Sequence, residues 1–322
     1  MIKLRTEIGP MPLRQQISCR DGIFVSGSCF AENIGLWLKE SYLNVCVNPF
    51  GVLYNPASIA SAMDRCVSSI NGLKDSRFSN ADVVKGSDGL FYSFAHHGKF
   101  YAPSPELLLE QINATQSEAE QALLAAKHIL VTFGTAWIYE RNGEIVANCH
   151  KFPASCFSRR RLSIDEIVAL WQPLIEKINE GKSEEEQKHF VFTVSPIRHV
   201  RDNLHGNQIS KATLLLAIEQ LCLLFPNQVE YLPIYELLID DLRDYRFYAD
   251  DLVHPNTLAI EIIKDYFAAN CLDSECQRYL KEVEPLVKAL KHRPLHSDSE
   301  SFSEFQIKTL QKLQLLRGNY NF

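Results

Sequence analysis

The sequence lacks an excess of basic charge, and this excludes one large class of partners. Its 322 residues contain 33 Lys and Arg against 39 Asp and Glu, which gives a formal net charge of −6. A chain of this charge has no broad basic surface, so we do not expect nucleic acid as a partner. The one basic run, Arg159-Arg160-Arg161, is too short to change this expectation.

Long apolar runs and a regular cysteine pattern are also missing. No stretch approaches the roughly 18 consecutive apolar residues of a membrane-spanning helix. The first residues, Met-Ile-Lys-Leu-Arg-Thr-Glu, place charges where a secretory signal needs an apolar run. The nine cysteines are odd in number and irregularly spaced, which indicates reduced thiols and no disulfide framework. We therefore expect a cytoplasmic protein that makes no use of a membrane.

What the sequence does contain is a regular alternation of short apolar segments with longer helical ones. Apolar residues make up 46% of the chain, enough for one large core. Strands alternating with helices of roughly 10 to 20 residues predict a parallel sheet covered by helices on both faces, an α/β fold. Strands are predicted at 23–25, 43–47, 128–133, 190–194 and 229–232. Helices are predicted at 31–39, 56–70, 105–127, 163–179, 208–225 and 257–271.

Three segments fall outside this alternation. Residues 72–103, rich in Gly, Ser, Asp and Asn, and residues 137–160 are interpreted as insertions, the second with a hairpin turn at Asn142-Gly143. Residues 274–322 are predicted to form a C-terminal extension of two helices, 275–291 and 302–316, joined by a link that contains Pro294. We expect the amphipathic last helix to pack back on the main domain, residues 1–273; contact with another subunit, and so an oligomer, is the alternative.

The stretch Ile23 to Ala31 brings a predicted strand to a Gly27-Ser28-Cys29 turn and then opens a helix. In such a turn the Ser28 hydroxyl stands above the end of its strand, facing free N–H groups at the helix start. A nucleophile and part of an oxyanion site then come together. The alternative is that Ser28 only caps the helix.

A second polar cluster, Asp251-Leu-Val-His254, precedes the last predicted helix of the domain. At this spacing the carboxylate can bind one imidazole nitrogen while the other nitrogen faces a serine hydroxyl. Ser28, Gly51, Gly134 and His199 each follow a predicted strand, and ligands of open parallel sheets bind at the carboxyl ends of strands. The alternative is that the Asp-His segment is only a helix entry.

These motifs resemble those of the GSCFA family, which is similar to the GDSL or SGNH hydrolases, and the resemblance covers roughly residues 20 to 270. The matching segments are Gly27-Ser28-Cys29-Phe30-Ala31, Asn48-Pro49-Phe50-Gly51, Asn148-Cys149-His150-Lys151, Ser195-Pro196-Ile197-Arg198-His199, Asn207-Gln208-Ile209-Ser210-Lys211 and Asp250 to Asn256. The resemblance implies a flavodoxin-like α/β/α sandwich with Ser28 as nucleophile, Asp251 and His254 as acid and base, and Gly51 as an oxyanion donor.

The sequence departs from these hydrolases at their third motif. Where they carry Gly-x-Asn-Asp, this chain has Gly134-Thr135-Ala136-Trp137 and so lacks the asparagine donor. One such donor is often worth a factor of ~100 to 1,000 in rate. Candidates to replace it, or to bind substrate, are Cys29, Thr135, Asn148, His150, His199 and Asn207.

The sequence therefore predicts a serine hydrolase that cleaves an ester, such as a short acyl or O-acetyl group on a carbohydrate, without a cofactor or metal. The backbone N–H groups of Ser28 and Gly51 are the expected oxyanion donors. Acyl transfer by the same residues is an alternative, and so is a carbohydrate-binding module that has lost the chemistry. Two further hypotheses are Cys29 as the nucleophile and a zinc site. The zinc ligands would come from His97, Cys149, His150 and His199.

Overall fold

The computed structural model describes residues 6–72, 76–292 and 300–320. The strands are β1 (Gly22–Gly27), β2 (Val45–Val47), β3 (Val84–Lys85), β4 (Phe91–Tyr92), β5 (Tyr101–Ala102), β6 (Ala126–Phe133), β7 (Trp137–Arg141), β8 (Glu144–Val146), β9 (Ser158–Arg161), β10 (His189–Val194) and β11 (Val229–Tyr231). The helices are α1 (Cys29–Glu40), α2 (Pro56–Ile70), α3 (Pro105–Ala125), α4 (Ile164–Asn179), α5 (Asn203–Leu224), α6 (Ile234–Glu236), α7 (Thr257–Cys271), α8 (Ser274–Lys291) and α9 (Glu300–Asn319).

A five-stranded parallel sheet in the order β2-β1-β6-β10-β11 forms the middle layer. Numbered along the chain, its strands run 2-1-3-4-5, the doubly wound order of flavodoxin-like sheets. Side chains alternate between two cores. Phe24 of β1 packs into the core formed with α2, α3, α4 and α5, whereas Ile23 and Val25 pack into the core formed with α1, α7 and α8. The fold is the predicted three-layer α/β/α sandwich.

Both predicted insertions contain small antiparallel sheets. β3, β4 and β5 form one, and β7 pairs with β8 and β9 to form the other. Asn142 (φ 53°) and Gly143 (φ 83°) both adopt left-handed backbone angles at the β7-β8 turn, as a tight hairpin of this kind requires. The hairpin prediction is confirmed.

The C-terminal helices pack back on the main domain, as expected. Tyr279 of α8 is fully buried and donates a hydrogen bond to the Ser41 carbonyl oxygen at 2.8 Å. Leu313 of α9 is buried in the same core as β1, whereas Leu310 and Leu315 of α9 are exposed. The link around Pro294 lies outside the described residues.

Several predicted boundaries differ from the observed ones by a few residues, and two of these differences have a clear physical reason. α5 begins at Asn203, not at 208, because its first turn is exposed and so carries no apolar pattern. β2 begins at Val45, not at 43, because the Leu43 N–H binds the Leu38 carbonyl oxygen and closes α1. Within the described ranges, no helix is both long and apolar enough to cross a membrane.

The end of β1 depends on a glycine. Gly27 has φ 144°, and a Cβ built on it would lie 2.3 Å from the Thr132 carbonyl oxygen of β6. We predict that Gly27→Ala lowers the free energy of unfolding by about 3 kcal/mol, since backbone strain and overpacking add. The measurement is urea denaturation. Gly9→Ala, where a Cβ meets nothing within 4 Å, is the control, and equal stabilities of the two variants would contradict the prediction.

Candidate active site

Ser28 lies in the connection between β1 and α1 and serves as the N-cap of the helix. Its Oγ accepts a hydrogen bond from the Phe30 N–H at 3.3 Å, and its carbonyl oxygen accepts one from the Glu32 N–H at 3.1 Å. Its own N–H donates to the Thr132 carbonyl oxygen at 3.3 Å. The capping role predicted as the alternative is therefore present, and it leaves Ser28 at the carboxyl end of β1.

A cavity of about 380 Å³ opens at this edge of the sheet. It lies next to the boundary between β1 and β6, where the strand order reverses and where such sheets bind ligands. Five of the predicted site residues line it: Ser28, Cys29, Thr135, His199 and His254. Its wall also contains residues to which the sequence analysis gave no role, among them Tyr54, Trp137, Tyr139, Arg159, Arg201 and Asp202.

Asp251 and His254 form a tight pair in the loop before α7. Asp251 Oδ1 accepts the N–H groups of Val253 and His254, each at 2.9 Å, and Oδ2 accepts Nδ1–H of the His254 ring at 2.6 Å. These hydrogen bonds, led by the backbone N–H of His254, lower the pKa of Asp251 to about 2. The geometry makes Nδ1 the donor and leaves Nε2 as the proton acceptor.

Two other predicted residues, Gly51 and His150, lie elsewhere. Gly51 is not in the cavity wall; its N–H donates to the Asn48 carbonyl oxygen at 2.8 Å. A Cβ on Gly51 would lie 2.2 Å from Cβ of His97, so the first insertion covers this turn. His150 is also outside the wall; its Nε2–H donates to the Ser93 carbonyl oxygen at 2.7 Å.

Asn207 acts on the cavity indirectly. Its Oδ1 accepts the backbone N–H of His199 at 2.9 Å, and this hydrogen bond fixes the segment after β10. Asn148, the remaining candidate, does not line the cavity; its Oδ1 accepts the N–H of His150 at 2.8 Å.

Cys29 and Thr135, which line the cavity with Ser28, carry groups that can donate a hydrogen bond to a ligand. The N–H of Cys29 is the first of α1, a position at which an amide has no acceptor within its own helix. Thr135 Oγ1 accepts the Trp137 N–H at 3.1 Å and lies 3.1 Å from Ser210 Oγ. Since Ser210 Oγ accepts the Ala136 N–H at 2.8 Å, a Ser210 hydroxyl that donates to Thr135 leaves the Thr135 proton for a ligand.

Lys211 is a site-supporting residue that the sequence reasoning missed. It is 1% exposed, and its Nζ donates to the carbonyl oxygens of Gly134 and Ser195, each at 2.6 Å. These two hydrogen bonds hold the segments that follow β6 and β10 next to each other. No ion pair joins Lys211 to a carboxylate of the described residues, and burial lowers its pKa to about 7.

A sequence signal for Lys211 exists in retrospect. Asn207, Ser210 and Lys211 are three and four residues apart and share a face of α5 with buried Leu214. The charge of Lys211 also acts on His199. Burial first, and then the nearby Lys211 ammonium, lower the pKa of His199 to about 4, so its imidazole is neutral near pH 7.

The candidate zinc ligands do not form a metal site. No group of three or more His, Cys, Asp or Glu side chains suited to a metal ion occurs among the residues with described positions.

The Cys29 thiol, the alternative nucleophile, lines the cavity beside Ser28 and lies 3.4 Å from the Tyr54 hydroxyl.

The fold and this cavity define a doubly wound α/β/α protein with a serine, a histidine–aspartate pair and a buried lysine at the carboxyl edge of its sheet. The GSCFA family model matches residues 22–267, and the model of a GSCFA domain protein C-terminal domain matches residues 283–322. The chain therefore belongs to the GSCFA family. Neither a curated protein nor a solved structure matches it.

The buried position of Lys211 predicts a pH dependence of stability. Because its pKa of about 7 in the folded protein lies below the ordinary 10.5, the unfolded chain binds more protons between these values. Stability from this group therefore rises with pH across that window. We expect the stability of wild type minus that of Lys211→Met to grow by about 1 kcal/mol per pH unit between pH 7.5 and 9.5. Urea denaturation at both pH values measures it; a pH-independent difference would contradict it.

Proposed function

We propose that this protein is a serine hydrolase of the SGNH type that cleaves an ester. The observation that supports this most strongly is that Ser28 and His254 line one cavity while Asp251 binds Nδ1 of His254 from behind. A hydroxyl, an imidazole with a free Nε2 and an orienting carboxylate are the groups that nucleophilic acyl transfer needs. The cavity volume is also in the usual range for small-molecule sites.

In the proposed mechanism Ser28 Oγ attacks the acyl carbon and its proton passes to Nε2 of His254. The tetrahedral intermediate collapses as the bond to the leaving alcohol breaks, and Nε2 returns the proton to that alcohol. Water then attacks the acyl-Ser28 ester, giving a proton to Nε2, and the acid departs as Ser28 Oγ recovers it. Asp251 stays ionised and stabilises the imidazolium in both halves.

The oxyanion donors that we propose differ from those that the sequence predicts. The N–H groups of Ser28 and Gly51 already donate to Thr132 and Asn48. The Cys29 N–H and the Thr135 hydroxyl take this role instead, and Thr135, one residue before the position of the missing asparagine, supplies the donor in its stead. Both groups are held by the backbone and by Ser210, so they are oriented before substrate binds.

Aromatic side chains support a carbohydrate as the alcohol part of the ester. Trp137 and Tyr139 both line the cavity. Guanidinium groups lie over these rings, so a sugar ring packs on the parts of the rings that they leave open. We propose a short acyl or O-acetyl group as the part that is cleaved. Acyl transfer to another alcohol uses the same residues and differs only in the exclusion of water.

One observation favours the second candidate, a catalytically inactive carbohydrate-binding module. Ser28 Oγ is engaged by the Phe30 N–H, and neither expected backbone donor is free. In that case the cavity binds a sugar and no ester is cleaved.

Substitutions in the three proposed catalytic residues separate these candidates. We expect Ser28→Ala and His254→Ala each to lower kcat for 4-nitrophenyl acetate by at least ~1,000-fold, and Asp251→Asn by ~100-fold or more, since the three act as a unit. Steady-state hydrolysis is the measurement. His205→Ala, an exposed histidine of α5, is the control. Wild-type rates in Ser28→Ala would contradict the mechanism.

Thr135 is tested by an isosteric pair of variants. Thr135→Val removes only the hydroxyl, and we expect kcat to fall by ~100-fold with KM little changed, because the lost donor acts in the transition state. Thr135→Ser keeps the hydroxyl and should retain most of the rate. Equal losses in both variants would show that Thr135 acts by packing and not as a donor.

A further inference from the structure

Three guanidinium groups line the cavity that contains Ser28 and His254. They belong to Arg159 at β9 and to Arg198 and Arg201 in the segment after β10. Among the residues that line the cavity, Asp202 is the one carboxylate. The wall therefore has an excess of positive charge, in a protein whose net charge is −6.

The carboxylate of Asp202 neutralises the charge of Arg159. It forms an ion pair with Asp202, whose side chain is 2% exposed. Its guanidinium also lies over the ring of Trp137, 4.3 Å from the centroid. Arg159 is thus held as part of the wall, and its charge is compensated.

Arg198 and Arg201 are not compensated in this way. Neither forms an ion pair with a carboxylate of the described residues. Arg198 lies over the ring of Tyr248 at 4.5 Å and donates to the Leu252 carbonyl oxygen at 3.4 Å, beside the His254 loop. Arg201 lies over the ring of Tyr139 at 5.6 Å. Aromatic faces orient these cations without neutralising them.

Lys211 adds to the positive potential where it is protonated. Lys211 lies buried at the strand ends from which this segment departs. Asp251, in the loop that contains His254, is already engaged by His254 and by two backbone N–H groups. Two guanidinium groups without a carboxylate partner, at a cavity of this size, suit a carboxylate or a phosphate, each of which binds a guanidinium through two parallel hydrogen bonds.

We propose that the substrate is an anionic ester, whose carboxylate or phosphate binds Arg198 and Arg201 while its acyl carbon faces Ser28. This inference rests on the proposed hydrolase function for the position of the ester, whereas anion binding itself needs no catalysis.

The first experiment compares matched esters on Arg201→Gln. The substrates are 4-nitrophenyl hemisuccinate, which carries a carboxylate, and 4-nitrophenyl valerate, which is neutral and of similar length. We expect Arg201→Gln to lower kcat/KM for the hemisuccinate by ~10- to 100-fold and for the valerate by less than about twofold, because a charge-assisted pair is lost only with the anion. Arg198→Gln should act in the same direction.

Arg160→Gln is the matched control. Arg160 adjoins Arg159 on β9, pairs with Glu140 and Glu166 and does not line the cavity. It should leave the ratio of the two kcat/KM values unchanged. Equal losses of kcat/KM on both esters in Arg201→Gln, or a wild-type preference for the valerate, would contradict the proposal that the site binds a carboxylate on the acyl side of the ester. The other case, a phosphate on the alcohol side of the ester, is tested with the same variants. The substrates are then an O-acetylated hexose phosphate and the same O-acetylated hexose without the phosphate.

A second experiment separates this inference from the hydrolase function. Calorimetric titration of Ser28→Ala with succinate and with inorganic phosphate measures anion binding without turnover, and Arg201→Gln in the same background should weaken it ~10-fold or more. Binding that depends on Arg201, without Ser28-dependent turnover of any ester, would overturn the hydrolase and keep the anion site. Ser28-dependent turnover without anion binding or anionic preference would overturn the anion site alone.

Discussion

The pairing of β1 with β6 is the constraint on which the rest of the structure depends. These strands meet where the strand order reverses, and their backbones approach closely at Gly27 and Thr132, with no room for a side chain. The buried Asn48 accepts the Gly27 N–H at 2.8 Å and fastens β2 to the same point. Because α1 starts immediately afterwards, this junction places Ser28 and the free amide of Cys29 at the edge of the sheet.

A second junction, on the other side of the cavity, depends on the ammonium group of Lys211. Lys211 draws the carbonyl oxygens after β6 and β10 together, so Thr135 and His199 lie on one wall. An unpaired ammonium in the interior is costly, and its cost is consistent with a site that holds anions or a developing oxyanion. Burial, and then the Lys211 charge, lower the pKa of His199 and keep its imidazole neutral. His254, half exposed and paired with Asp251, is the base in the proposed mechanism.

Much of the fold followed from local pattern. The helix predicted over 163–179 is α4, which begins after a capping box of Ser163 and Glu166 and ends at Asn179, and the spacing of Asp251 and His254 produced the expected hydrogen bond. Gly51 was misplaced because a distant insertion covers its turn. Lys211 was missed because its partners are backbone carbonyl groups, which no motif identifies, so that its spacing from the buried Asn207 of α5 was the only signal. Arg201 was missed because the wall it joins comes from segments far apart in the chain.

The central claim is that Ser28 is an activated nucleophile, and its most direct test is the site of covalent modification by a fluorophosphonate. The account predicts one adduct per chain on the peptide that contains Ser28, with fragment masses that place it on Ser28 and not on Cys29, and its loss in His254→Ala. No adduct on the folded wild-type protein, or an adduct that persists in His254→Ala, would contradict the account.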